Sequence, residues 1–107
     1  MNLYLALLFA ILFEVTGTML LPLTKEFSKL IPTSLVIIFY SLSFYLLSVA
    51  VTKLPLSIVY ASWAGLGVFS VALLSYLFFR QHLNLPTIIG LFLIVIGVVL
   101  VNVFKTD

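Results

Sequence analysis

The chain has 107 residues, of which 64% are hydrophobic and 7% are charged. Soluble domains carry about 25% charged residues, so five Lys or Arg and three Asp or Glu cannot coat a water-facing globule. This composition argues against a soluble enzyme and against a nucleic-acid-binding module, and the lack of cysteine excludes disulfides and Cys-ligated metal sites.

Four apolar stretches separated by short polar segments predict an all-α integral membrane fold. A spanning helix needs roughly 20 apolar residues, and the gaps between the charged residues supply them. In a single transmembrane domain over residues 1–107, the predicted helices cover about 3–22, 33–52, 57–78 and 86–104. Prolines, which are tolerated at helix ends, lie near these boundaries at Pro22, Pro32, Pro55 and Pro86.

The charged residues give little bias between the two sides of a membrane. With four helices, both termini share one side with Lys53 and Lys105, while Lys25, Lys29 and Arg80 lie on the other. Orientation follows the Lys and Arg asymmetry of the loops, so two interpretations stay open. Either the excess of one charge orients the chain, or the chain inserts both ways and pairs with an inverted copy of itself.

Glu14, near the middle of the first predicted helix, is the central candidate for function. A charge at mid-bilayer costs about 2.5–3.5 kcal/mol on insertion scales, and the predicted spans contain no Lys, Arg or His to compensate it. The carboxyl therefore stays protonated or receives an external cation, and a group that does both exchanges protons for cations. The alternative is a permanently protonated carboxyl that donates one structural hydrogen bond.

Residues three, four or seven positions from Glu14 share its helix face. They are Leu7, Ala10, Ile11, Gly17, Thr18 and Leu21. The small side chains among them either leave space for a cation beside the carboxyl or let helices pack closely, and both interpretations stay open.

The second and third predicted helices each have an aromatic face at helical spacing. These faces consist of Tyr40, Ser43, Phe44 and Leu47 in the second helix, and of Tyr60, Trp63 and Gly67 in the third. Aromatic rings attract desolvated cations by up to about 2 kcal/mol. Together with a buried carboxylate they favour a site for a lipophilic cation, such as a quaternary ammonium, over ordinary packing.

Glycines suggest roles for the last two helices. Gly65 and Gly67 in the third helix either form a hinge or allow a neighbouring helix to approach. In the fourth helix a ridge is predicted to mediate dimerisation, with a lipid-facing surface as the alternative. This ridge consists of Gly90, Leu93, Ile94 and Gly97.

Taken together, these motifs resemble the bacterial small multidrug resistance family over the whole chain. The matching motifs are Ala10-Ile11 with Glu14-Val15 and Gly17-Thr18, Tyr40 with Ser43-Phe44, Tyr60-Ala61 with Trp63, Gly65 and Gly67, and Gly90 to Gly97. The resemblance implies an antiparallel homodimer in the inner membrane, with both copies of Glu14 facing one chamber lined by aromatic rings. It implies proton-coupled export of hydrophobic cations by alternating access, with protons and drug competing for Glu14. No enzymatic activity, cofactor or nucleic-acid partner is expected, and the expected partners are the cation, protons, lipid and a second copy.

Two positions refine this resemblance. Guanidinium exporters of the family resemble one another in carrying Trp three positions after the acid, and this chain has Gly17 there, which favours the drug-exporting branch. The family usually has Lys near the end of the first helix, where this chain has Leu21-Pro22, and Pro22 is expected to shorten or kink that end. The alternatives are a guanidinium or polyamine exporter of the same build, or one subunit of a heterodimeric exporter.

Overall fold

The computed structural model describes residues 2–104, and four long helices account for most of this part of the chain. They are α1 (Leu3–Leu20), α2 (Leu30–Ala50), α3 (Leu56–Phe79) and α4 (Leu85–Val103). Each is long and apolar enough to cross a membrane, which confirms the predicted all-α membrane fold. Lys105, one of the two bases predicted to share a side with the termini, lies outside the described residues.

The helix boundaries follow from local chemistry. Asn2 and Asn84 cap α1 and α4 by accepting hydrogen bonds from the backbone N–H groups of Tyr4 (2.8 Å) and Thr87 (2.9 Å). The prediction for α1 was two residues too long, because the α-helix ends at Leu20 and continues as a 3-10 turn, Leu21–Thr24, with Pro22 in its first turn. The prediction for α2 began too late, because the helix accommodates Pro32 within its first turn.

The connector between α1 and α2 is organised by Thr24, which is buried. Its hydroxyl donates to the carbonyl of Leu21 (2.7 Å), and its own carbonyl accepts from the N–H groups of Ser28 and Lys29. Between them, residues 25–27 all have left-handed backbone angles, with φ of 50°, 62° and 65°. Non-glycine residues rarely adopt this conformation, so the connector is a tightly constrained corner.

The chain divides into two compact units, Met1–Lys53 and Leu54–Asp107, each containing one helical hairpin. In the first unit α1 packs against α2, and its interior is formed by Ala6, Ala10 and Leu46, with Phe13 and Leu47 packed against them. In the second unit α3 packs against α4. Many large apolar side chains on the outer faces of both hairpins are exposed, as expected for helices surrounded by lipid.

Candidate functional site

Glu14 lies in the second half of α1 and is partly buried within the first hairpin. It is the only charged residue inside the four described helices, because the other charges of residues 2–104 lie in the connectors. The placement of an acidic group inside a spanning helix therefore agrees with the prediction. The structure also shows its hydrogen-bond partners, which are Thr18 of α1 and, through Thr18, Tyr40 of α2.

A chain of hydrogen bonds connects Glu14 to α2 through Thr18. The Thr18 hydroxyl donates to Oε1 of Glu14 at 2.9 Å, and it lies 2.7 Å from the Tyr40 hydroxyl. A threonine hydroxyl has one proton, so Tyr40 is the donor in the second bond while Thr18 donates to the carboxylate. If Glu14 is protonated, both bonds can reverse, with Glu14 donating to Thr18 and Thr18 donating to Tyr40.

Gly17 explains how Tyr40 comes so close to α1. A Cβ atom at position 17 would lie 2.8 Å from Cε1 and 2.9 Å from Cδ1 of the Tyr40 ring, closer than carbon atoms approach in contact. Any larger residue would therefore push the ring away from Thr18. Of the two interpretations of the small residues near Glu14, close helix packing is the arrangement observed at this position, and the ring of Tyr40 fills the space.

Ser43 joins the two helices one turn further along. Its side chain is buried, and its hydroxyl donates to the backbone carbonyl of Ala10 at 2.7 Å. Stacking of Phe13 on Phe39, with ring centroids 6.0 Å apart, adds an aromatic contact between the same helices. These contacts hold α2 against the segment of α1 that carries Glu14.

The other predicted residues of the first hairpin occupy different environments. Leu7 and Ile11 are buried on α1, and Leu47 packs on the hairpin interior. The side chain of Phe44 is 58% exposed, on the outer part of the hairpin. The structure thus brings Glu14, Thr18 and Tyr40 together, whereas a substrate-lining role for Phe44 stays a prediction.

The second hairpin contains the remaining aromatic candidates. Tyr60 and Trp63 pack edge to face, with ring centroids 5.4 Å apart. The contacts of α3 with α4 include two other residues, Ser62 and Gly65. The predicted role of Tyr60 and Trp63 beside Glu14 stays a prediction.

The glycines of α3 lie within an unbroken helix. A Cβ atom at Gly65 would collide with the side chain of Val98 of α4. Of the two predicted roles, Gly65 therefore has the second, which is to let a neighbouring helix approach closely. Gly67 is buried on the same helix. A hinge motion at these two positions stays a prediction.

A polar contact between α3 and α4 was missed by the sequence interpretation. The side-chain amide of Asn102 donates to the hydroxyl of Ser62 at 2.7 Å and to the carbonyl of Val98 at 2.8 Å. Ser62 is buried. An amide in the most apolar of the four helices is costly in lipid unless it is hydrogen-bonded. The position of Asn102 in this helix could therefore have predicted a polar partner on a neighbouring helix.

The predicted ridge of α4 is largely uncovered by the second hairpin. A Cβ atom added at Gly90 or Gly97 would have no heavy atom of the described residues within 4 Å beyond its own helix backbone and its two chain neighbours. Leu93, between them, is 62% exposed. Ile94 lies at the border between this uncovered ridge and the contact with α3, because its side chain also approaches Gly65.

The four helices and the partly buried carboxyl define a small polytopic membrane protein with an acidic site in its first hairpin. Residues 2–94 match the family model described as Small Multidrug Resistance protein. The chain belongs to the small multidrug resistance family, as its motifs predicted, and it is a multi-pass protein of the bacterial inner membrane.

Individual relatives resemble the chain over nearly its full length. The quaternary ammonium compound-resistance protein QacH of Staphylococcus saprophyticus is 48% identical, over 97% of both chains. The multidrug transporter EmrE of Escherichia coli K12 is 45% identical, over 98% of this chain and 96% of its own. The multidrug resistance protein EbrA of Bacillus atrophaeus is 40% identical, over 92% and 94% respectively.

Proposed function

We propose that this protein exports hydrophobic and quaternary ammonium cations in exchange for protons, with both competing for Glu14. The observation that carries the proposal is the carboxyl of Glu14, which lies inside a spanning helix and accepts a hydrogen bond from Thr18. The helices contain no basic residue that could neutralise it. Relatives named for resistance to quaternary ammonium compounds and for multidrug transport support the choice of substrate class.

The chemistry of the exchange follows from the two charge states of one group. The ionised carboxylate attracts a desolvated cation, and the donor bond from Thr18 stabilises this state. Protonation removes the negative charge, so the cation is released, and the reversed hydrogen bonds through Thr18 to Tyr40 can hold the neutral acid. Cation affinity is therefore expected to fall as the pH falls.

The complete site is proposed to form in an antiparallel homodimer. Two copies of Glu14 would face one chamber and take up protons as a coupled pair, with rings of Tyr40, Tyr60, Trp63 and Phe44 around the cation. Inverted repeats commonly support alternating access around a midplane site, and here two oppositely inserted chains would supply them. The uncovered ridge at Gly90 and Gly97 supports α4 as the dimer contact.

Glu14→Gln tests the proposal directly, because it keeps the shape of the side chain but removes its charge. Purified protein in liposomes is given an imposed pH gradient, and uptake of tetraphenylphosphonium is measured. We expect Glu14→Gln to abolish proton-driven uptake and Glu14→Asp to retain part of it. Glu26→Gln is the matched control, since Glu26 lies exposed in the first connector.

A second measurement separates proton competition from simple loss of binding. Equilibrium binding of tetraphenylphosphonium to the wild-type protein is expected to release protons, whereas residual binding to Glu14→Gln releases none. Undiminished proton-driven uptake by Glu14→Gln would refute the mechanism. Transport of guanidinium in place of lipophilic cations would instead point to the guanidinium branch of the family.

A further inference from the structure

A groove runs between α3 and α4 at the end where the two helices are connected. It encloses about 410 Å³. Its apolar walls include Phe69, Leu73, Tyr76, Ile88 and Phe92, and His82 from the connector also lines it. Phe69 and Phe92 contact each other edge to face across the two helices, with centroids 6.2 Å apart. The groove is thus a largely apolar cleft lined by both helices and by their connector.

A second, more polar cavity of about 330 Å³ lies beside this groove. Tyr76 and His82 line both, so the two cavities adjoin. The remaining lining of the polar cavity comes from Leu77, Arg80 and Gln81 at the end of α3. The hairpin therefore offers an apolar cleft and a basic, hydrogen-bonding cup side by side at one end of its helices.

Arg80 supplies the charge of this cup. It caps α3 in the left-handed conformation, with φ 55° and ψ 34°, and its backbone N–H donates to the carbonyl of Ser75. Glycine is the usual residue at such a position, so an arginine here is conformationally unfavourable. Residues 54–104 contain no Asp or Glu, and the guanidinium therefore has no carboxylate partner within the described part of its own hairpin.

We propose that the paired cavities bind an anionic phospholipid, with an acyl chain in the groove and the phosphate at Arg80. The ends of spanning helices lie near the headgroups of the bilayer, and an arginine guanidinium matches a phosphate with two parallel hydrogen bonds. His82 and Gln81 add polar groups beside the same phosphate, and Tyr76 borders both the acyl chain and the headgroup. The charge of Arg80 argues against a cationic transport substrate as the occupant.

The test uses purified, substrate-free protein in a neutral detergent. Binding of phosphatidylglycerol and of phosphatidylcholine with the same acyl chains is measured by native mass spectrometry, and thermal stabilisation by each lipid is measured in parallel. Wild-type protein is expected to bind phosphatidylglycerol about tenfold more tightly than phosphatidylcholine, a difference of about 1.4 kcal/mol. Arg80→Gln is expected to abolish this preference, and Arg80→Lys, which keeps the charge but not the two parallel hydrogen bonds, to retain part of it.

Lys53→Gln is the matched control, because Lys53 is an exposed base at the end of the other hairpin. It should leave the preference unchanged, and an equal loss in both variants would overturn the proposal in favour of unspecific surface charge. Arg80→Gly is the second variant. It removes the guanidinium while suiting the left-handed backbone, so it should fold at least as stably as the wild type and still lose the preference.

The acyl-chain groove is tested separately from the headgroup. Ile88→Trp, at a partly exposed position in the groove, is expected to weaken binding of both lipids at least several-fold. Glycerol-3-phosphate, the headgroup chemistry without an acyl chain, is expected to bind at least tenfold more weakly than phosphatidylglycerol. The proposal would be overturned if glycerol-3-phosphate bound as tightly as phosphatidylglycerol. It would also be overturned if a second copy of the chain covered the groove and no lipid bound there. None of these measurements depends on transport.

Discussion

Replacing Gly17 with alanine is expected to disconnect Tyr40 from Thr18 and thereby to loosen the link between α2 and Glu14. The added Cβ would lie 2.8 Å from Cε1 and 2.9 Å from Cδ1 of the Tyr40 ring. Carbon atoms in contact are about 3.5–4.0 Å apart, so the ring must move by about 1 Å. The hydroxyl distance between Tyr40 and Thr18, now 2.7 Å, would lengthen towards about 3.5 Å, beyond a good hydrogen bond.

Two quantities should change in this variant. Overpacking of this kind costs about 1–3 kcal/mol, which thermal unfolding in detergent will report as a lower midpoint. Affinity for tetraphenylphosphonium, measured by isothermal titration, is expected to fall about tenfold, or about 1.4 kcal/mol, because the Tyr40 ring is displaced and Glu14 loses its hydrogen-bonded link to α2. Gly90→Ala, in α4 of the second hairpin, is the control for a glycine-to-alanine change in a helix, since its added Cβ would meet no described atom within 4 Å beyond its own helix backbone and chain neighbours.

A double-mutant cycle identifies the cause. If the clash with the ring is responsible, adding Tyr40→Val to Gly17→Ala should restore part of the lost stability, giving a coupling of about 0.5–3 kcal/mol between the two positions. A Gly17→Ala protein that unfolds at the wild-type temperature would refute the reasoning. So would a cost that Tyr40→Val leaves unchanged.

Three further substitutions test contacts within and outside the hairpins. Ser43→Ala removes the bond to the Ala10 carbonyl and is expected to lower stability by about 0.5–1.5 kcal/mol, as measured by thermal unfolding. Asn102→Leu loses the bond to Ser62 and is expected to cost about 0.6–1.7 kcal/mol in the same assay, with no change if that bond contributes nothing. Gly97→Leu fills an open surface, so it should leave thermal unfolding of separated monomers unchanged but lower the yield of cross-linked dimers; an unchanged yield would argue against α4 as the contact.

The helices and the position of the acid were predictable because they depend on residue order alone. Hydropathy and prolines located all four spans, and the cost of a lone charge in lipid identified Glu14. The errors in the last residue of α1 and in the first residue of α2 came from Pro22 and Pro32. Pro22 follows an α-helix that becomes a 3-10 turn, whereas Pro32 fits inside a first turn.

The contacts between helices were less predictable, because spacing along one helix does not state which neighbour covers each face. Thr18 and Tyr40 were both named as site residues, but their mutual hydrogen bond depends on the rotation of α1 against α2 and on the missing side chain of Gly17. Asn102 was overlooked because it is a single polar residue in a strongly apolar helix, and its partner Ser62 is 40 positions away.

The corner at Thr24 has a consequence for how the chain can vary in length. Surface loops normally absorb insertions, yet residues 25–27 have left-handed backbone angles and are enclosed by the hydrogen bonds that Ser28 and Lys29 donate to the Thr24 carbonyl. Suppose that an extra residue were added and that α2 still began at the same point beside α1. Each residue of α2 would then move one position along the helix and turn by about 100° about its axis, and Tyr40 would face away from Thr18. Epitope tags and natural indels should therefore be accepted more readily between residues 81 and 84 than between residues 24 and 29.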